Sequence, residues 1–277
     1  MVAIEQAVAR HYAHGSLEET ILNALALAGK DANHLTPKDL APVDEFHVGG
    51  RQATMAFAEQ FGLRPGMRLL DIGCGLGGAA RYFAHEHGCR VSGIDLSDEY
   101  VNVANALAAR VGLDERVSCE LGSALALPFV PGSFDAAYML HVGMNIEDKA
   151  RLFTEVRRVL APSGLFGIYD VMRLAPGELS YPVPWASGPE SSFVVDPAGY
   201  RRLLVAAGFE VVKQRDRRDF ALELFGLMRA RGAATGPGPL GLHLVMGASA
   251  AQKVKNMIGD ISSGLIAPTE MICRVAE

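Results

Sequence analysis

Cysteine is scarce in this chain and carries no pattern. Cys74, Cys89, Cys119 and Cys273 are widely separated and form no CxxC pair, which argues against a zinc site and a disulfide framework. They read as reduced thiols of a cytoplasmic protein. Basic charge is not concentrated either: 26 Lys and Arg against 31 Asp and Glu leave a formal charge of -5, with no block of the kind that tracks a phosphate backbone. Nucleic acid is therefore not expected as a partner. No apolar run approaches the ~20 residues that span a bilayer, so no membrane partner is expected. The opening Met1-Val2-Ala3-Ile4-Glu5 carries an acid early and lacks the basic flank of a secretory leader. Against these absences stand 277 residues that are 49% hydrophobic and 21% charged, enough for a packed core.

Apolar spacing predicts two short helices between Ile4 and Leu27, separated at His14-Gly15-Ser16, and a third from about Arg51 to Phe61. Asn33 to Pro42 holds two prolines and reads as a connection. From Arg68 onward short apolar runs alternate with helical patterns. Strands are predicted over 68–72, 90–95, 117–121, 134–140, 165–171 and 209–215, and helices over 79–87, 98–111, 149–160 and 197–207. Such alternation implies an α/β, doubly wound, mostly parallel sheet with helices on both faces. Two stretches break it. Residues 173–196, rich in Pro and Ser, and 219–264, around Gly236-Pro237-Gly238-Pro239, read as insertions over the sheet's carboxyl edge after the fifth and sixth strands.

The densest signal is Asp71-Ile72-Gly73-Cys74-Gly75-Leu76-Gly77-Gly78, between a predicted strand and a predicted helix. Backbone amides at such a turn receive nucleotide-type ligands. Gly73, Gly75 and Gly78 also spell the dinucleotide fingerprint, so the glycines alone leave a nicotinamide cofactor open. Asp71 tips the balance. A carboxylate there suits an α-ammonium and would repel a pyrophosphate. Asp95, closing the next strand, can accept both hydroxyls of a ribose and fits either class.

These residues, with Gly93-Ile94-Asp95, Leu127-Pro128-Phe129 ahead of Gly132-Ser133-Phe134-Asp135, and Leu160-Ala161-Pro162-Ser163-Gly164, resemble the Rossmann-like S-adenosylmethionine-dependent methyltransferases. The resemblance spans about Gly62 to Arg215. It implies a seventh, antiparallel strand over 268–275 and S-adenosylmethionine as cofactor, held by Asp71, Gly73, Cys74, Gly75, Asp95, Leu96, Ser123, Ala124 and Leu140. No metal is implied. Residues 62–277 would form the cofactor-binding domain and 1–61 a helical lid. One position departs from the pattern: Gly122-Ser123-Ala124 has a serine where many relatives carry an acid near the adenine amino group. Asp44-Glu45-Phe46-His47-Val48-Gly49-Gly50 and Pro182-Val183-Pro184-Trp185-Ala186 are similar to the sarcosine/dimethylglycine N-methyltransferase type.

The expected reaction is methyl transfer to a small molecule. The acceptor is taken as an amine such as sarcosine or dimethylglycine, enclosed by His47, His141, Asn145, Tyr181 and Trp185. His141 is the candidate base, because an ordinary imidazole titrates near neutrality. Phenolic or isoprenoid O- or C-methylation is the alternative. A non-catalytic cofactor-binding regulator is a third reading. The only further partner considered is a second copy of the chain.

Overall fold

Leu69, Leu70 and Ile72 lie in one five-residue strand, and side chains alternate along a strand, so they must face opposite ways. Leu69 joins a core with Phe57, Phe83, Val91 and Ala104, while Leu70 and Ile72 join another with Phe153, Val156, Phe166 and Leu204. A strand buried on both faces needs a cover on each. The computed structural model describes residues 3–12, 15–235 and 238–276, and in it helices supply both covers. His14, Gly236 and Pro237, used above as breaks, lie outside the described residues.

The sheet has seven strands: β1 (Arg68–Ile72), β2 (Arg90–Asp95), β3 (Val117–Leu121), β4 (Phe134–Leu140), β5 (Leu160–Arg173), β6 (Phe209–Asp216) and β7 (Ile266–Val275). Their order is β3-β2-β1-β4-β5-β7-β6. The first five run parallel to one another, and β7 runs antiparallel to both β5 and β6. The doubly wound reading with an antiparallel last strand is borne out. Helices α5 (Gly78–His87) and α6 (Asp98–Arg110) contribute to the first core, and α7 (Lys149–Val159) and α8 (Pro197–Ala206) to the second. No helix among the described residues is long and apolar enough to cross a membrane.

Ahead of the sheet come α1 (Ala3–His11), α2 (Leu17–Leu27), α3 (Pro37–Asp44) and α4 (Gly50–Ala58). The stretch read as a connection is in large part α3. Pro37 occupies its first turn, where a missing N–H costs nothing. Thr36 and Asp39 form a capping box, the Thr36 amide donating to Asp39 Oδ2 at 3.0 Å. Proline content alone therefore misled: Pro37 sits in the first turn, and Pro42 is accommodated inside the helix, in its last turn. Leu17, Ile21, Leu25, Leu40 and Val43 then pack against Leu76, Tyr100, Val103 and Leu107.

The late insertion folds as α9 (Arg218–Thr235), α10 (His243–Met246) and α11 (Ala250–Ser262). The earlier one, 173–196, is mostly irregular. Its Val183, Trp185 and Ala186 are buried with Met257 and Ile261 of α11, so the two insertions share a small core.

β5 starts five residues earlier than its apolar pattern suggests, and its pairing with β4 is irregular between Phe134 and Ala136. There Ser163 sits at φ +61, a left-handed conformation that costs an ordinary L-residue roughly 1 kcal/mol and glycine almost nothing. Ser163→Gly is expected to stabilise the protein by about 1 kcal/mol, raising the thermal midpoint by ~2 °C for a chain of this size. Calorimetric melting checks this, and an unchanged or lower midpoint contradicts it.

Candidate active site

β1 has β2 on one side and β4 on the other, so the connections leaving β1 and β4 diverge and open a crevice at the sheet's carboxyl edge. A cavity of about 330 Å³ fills that crevice. Its floor is the loop after β1. The Gly73 and Cys74 amides both donate to the Ile94 carbonyl, at 2.8 and 3.0 Å, which ties the loop to β2. Gly73 adopts φ +67, and a Cβ there would lie 2.6 Å from Val142 Cγ2, so only glycine lets the loop pass the end of β4. Gly75 adopts φ +52 and lines the cavity, and its Cβ would meet no protein atom within 4 Å. A side chain there would intrude on the cavity, not on the protein.

Five carboxylates from the first part of the chain line the cavity, Glu5, Asp44, Glu45, Asp71 and Asp95, and Glu147 and Asp148 line it beyond β4. Asp95 accepts the Gly75 amide at 2.9 Å and the Ser97 amide at 2.9 Å, leaving further lone pairs on both oxygens. Burial raises its pKa above the usual carboxylate range. Asp71 is pushed up to about 8, first by burial and then by the nearby charges of Asp95 and Glu45. Glu45 is held by Arg51 Nε at 2.5 Å and the Thr54 hydroxyl at 2.6 Å. Asp44 is paired with Arg81, both side chains being fully buried. No lysine or arginine is among the described residues that line the cavity.

At the β4 end stand two histidines. His47 and His141 both line the cavity, their rings 6.0 Å apart, and His141 lies 4.9 Å from the Tyr169 ring. The Tyr169 hydroxyl donates to the Val48 carbonyl at 2.9 Å and so fixes the segment that bears His47. His141 takes φ +59, its amide bonded to the Tyr169 carbonyl at 2.6 Å. Its Nε2 is buried with no hydrogen-bond partner among the described residues. Burial lowers the His47 pKa to about 4, and burial together with His47 lowers that of His141 well below the ordinary imidazole value. Both rings are neutral at physiological pH. A neutral, weakly basic imidazole is better suited to accept a hydrogen bond than to keep a proton.

Of the residues singled out from sequence, Asp71, Gly73, Cys74, Gly75, Asp95, Leu96, Ala124, Leu140, His47, His141 and Asn145 all line this cavity. Ser123, Tyr181 and Trp185 do not. The Ser123 hydroxyl donates to the Glu5 carboxylate. Trp185 is buried in the core of the insertions, its indole N–H donating to Ser192 Oγ at 3.0 Å, and Tyr181 packs beside it. Asn145 reaches the cavity wall but acts as a clasp. Its Nδ2 donates to the Trp185 and Ser191 carbonyls at 2.7 and 3.1 Å, and its Oδ1 accepts the Tyr12 hydroxyl at 3.1 Å. Sequence reasoning missed the face of α1 formed by Ile4, Glu5, Val8 and Ala9, which lines the cavity together with Tyr12, just beyond the helix, and Val245 of α10. The helical spacing of that α1 face was a readable signal of burial, with nothing local to say against what.

The sequence model of a family described as "Methyltransferase domain" matches residues 70–168, which run from β1 through most of β5. A sterol 24-C-methyltransferase of Gibberella zeae is 30% identical over 167 residues, covering 57% of this chain and 43% of that protein. The chain spans between about a quarter and a half of the length of the curated relatives it matches. Among solved structures, a geranyl diphosphate C-methyltransferase from Streptomyces coelicolor, with Mg2+, geranyl diphosphate and S-adenosyl-L-homocysteine bound, superposes with TM-score 0.72 at 18% identity over 99% of this chain and 98% of that one. A structure described as a putative sarcosine dimethylglycine methyltransferase from Galdieria sulphuraria superposes with TM-score 0.67 at 18% identity, covering 93% and 98%. Residues 70–168, which include the glycine loop on the floor of the crevice, thus match a methyltransferase domain.

Proposed function

We propose that the chain transfers the methyl group of S-adenosylmethionine to a small, largely apolar acceptor that bears no acidic group. The observation that carries this is the cavity wall. Tyr12, Phe46, Leu76, Leu140, Val142 and Ile146 make it mostly apolar, and its charged groups are all acids. A cationic sulfonium nucleoside suits such a wall, and a dinucleotide's pyrophosphate does not. The cofactor supplies an electrophilic methyl group. Within the chain, the 73–75 loop and Asp71 would hold the amino-acid end, Asp95 the ribose, and Leu96, Ala124 and Leu140 the apolar flanks.

What remains for the protein is to orient the acceptor and exclude water, since in-line displacement depends chiefly on both. Residues 3–12 and 44–47 cover the crevice and would act as its lid. His141 Nε2 would accept a hydrogen bond from the acceptor's hydroxyl or amine. A buried imidazole nitrogen without a partner calls for one.

The acid-rich wall favours one second reading, an amine without an acid group. Sarcosine and dimethylglycine fit less well, because their carboxylates would lie among Asp44, Glu45 and Asp71 with no lining cation to receive them. A metal-bridged diphosphate fits no better, since no cluster of metal-ligating side chains occurs among the described residues. An acceptor panel read by S-adenosylhomocysteine release tests the proposal. Turnover is expected with phenols or prenyl alcohols, and turnover confined to sarcosine and dimethylglycine would sink it.

His141→Asn keeps a residue tolerant of the left-handed backbone but shortens its reach. With the accepted substrate, KM is expected to rise roughly 2–10-fold, the worth of one neutral hydrogen bond, with cofactor affinity unchanged. Because the wild-type ring stays neutral, lowering the pH from 8 to 6 should leave this contact intact. An equal loss of cofactor affinity would remove His141 from the acceptor side.

Asp71 generates a further expectation. Its carboxyl is largely protonated at pH 7, and an α-ammonium placed beside it favours the charged form. Binding of S-adenosylhomocysteine should therefore release a fraction of a proton approaching one, and affinity should climb as pH rises from 6 towards 8. Calorimetry in buffers of different ionisation enthalpy measures the release. Asp71→Asn should abolish it and weaken binding about 10–100-fold, as for loss of a charge-assisted hydrogen bond.

A further inference from the structure

Asp170 lies in β5, wholly buried, and follows Tyr169, whose ring packs on His141. It does not line the cavity. Removing a carboxylate from water is costly unless its oxygens are bonded, and here donors meet both. Oδ1 accepts the Val142 amide at 2.8 Å, Oδ2 accepts the Tyr200 hydroxyl of α8 at 2.8 Å, and the Gly143 amide bridges the two oxygens at 3.2 and 3.1 Å. The approach is close. A Cβ at Gly143 would stand 2.3 Å from Asp170 Oδ2, so only glycine fits there. The carboxylate thus grips, by two consecutive amides, the turn that leaves β4. One residue earlier the same turn holds His141 at φ +59. The Val142 side chain abuts Gly73 of the glycine loop, where a Cβ would lie 2.6 Å from Val142 Cγ2.

We infer that Asp170 is a positioning residue for methyl transfer: by holding the Val142 and Gly143 amides it fixes His141, and with it the bound acceptor, at a set distance from the glycine loop. Satisfying two buried amides would by itself only stabilise the turn. What singles Asp170 out is where that turn leads, bearing His141 onto the cavity on one side and Val142 against the floor loop on the other. A group that orients a reactant needs its own support fixed to about 0.5 Å, and a misplacement of about 1 Å costs roughly 100-fold in rate. A charged acceptor shared by two amides and a hydroxyl provides such a support.

This inference rests on the acceptor reading above. Steady-state kinetics on the full chain, with the phenol or prenyl alcohol that the wild type methylates, are set beside calorimetry with S-adenosylhomocysteine. Asp170→Asn keeps the shape but places an NH2 group where one oxygen faces the Gly143 amide and Tyr200. It should raise KM about 2–10-fold and leave affinity for S-adenosylhomocysteine within about threefold. Asp170→Ala, which removes both oxygens, should lower kcat/KM by up to about 100-fold. The decisive comparison is the double variant. In a His141→Asn background, Asp170→Asn should raise KM by less than about twofold more, because a residue acting through His141 then has nothing left to position. If the two effects on KM simply multiply, or if Asp170→Asn lowers the thermal midpoint with KM unchanged, Asp170 only stabilises the turn and the inference is overturned. A loss of cofactor affinity as large as the rise in KM overturns it as well. Should Asp170→Ala fail to fold, Asp170→Asn decides. A wild type that methylates no phenol or prenyl alcohol overturns the acceptor reading itself, and the role of Asp170 with it.

Discussion

The Asp44–Arg81 ion pair sets the terms for the rest of the structure. Both side chains are wholly buried, with Asp44 at the end of α3 and Arg81 in the helix that follows the glycine loop. Arg81 also donates to the Ala104 carbonyl of α6 at 3.2 Å, so one guanidinium joins three helices. Burial raises the Asp44 pKa although Arg81 opposes the rise, as expected where removing two charges from water offsets much of their attraction. Breaking such a pair from one side costs about 3–5 kcal/mol, because a buried charge is left alone. The N-terminal segment is thereby bolted onto the loop that forms the cavity floor. Arg81 is engaged by Asp44 and is not part of the cavity wall, which keeps its excess of acids.

From that excess follow the protonation states. Asp71 is raised to about 8 because it is buried among other carboxylates, while the histidines are lowered because they are buried. The cavity therefore meets a ligand with less negative charge than its acids suggest, and it can regain charge when a cation arrives. A site of that kind favours cationic ligands without holding several full charges in a dry space, which would be far more costly.

The parallel core was legible because its signals are local. Strands β1, β2, β3 and β4 fall on the predicted residues, since each is a short apolar run closed by a turn. The glycine loop and its two acids were equally readable: the space around Gly73 and the bond from Gly75 to Asp95 follow directly from their positions. The failures were matters of distance along the chain. Trp185, expected to enclose the acceptor, is buried for another reason. The reason is the shared core with α11, some 70 residues later. Ser123 was read as a ligand contact, yet its partner is Glu5, 118 residues earlier. No period or motif encodes such a pairing, because it depends on where α1 docks. Asp44 and Glu45 were visible as letters in a motif, but their burial against Arg81 and Arg51 was not.

Enclosure links this architecture to the chemistry. The sheet edge alone offers a shallow crevice, open to water above the glycine loop. Tyr12, just after α1, and Phe46 close it, and Asn145 fastens them by binding Tyr12 on one side and the proline-rich insertion on the other. The clasp joins three segments that share no contiguous sequence. It therefore forms only when all three are in place, so an apolar, water-poor compartment exists only in the fully assembled fold. Displacement at a cationic carbon by a neutral nucleophile loses little when water is removed, whereas competing hydrolysis loses its reactant. A compartment of neutral imidazoles and largely apolar walls provides that condition without a strong base.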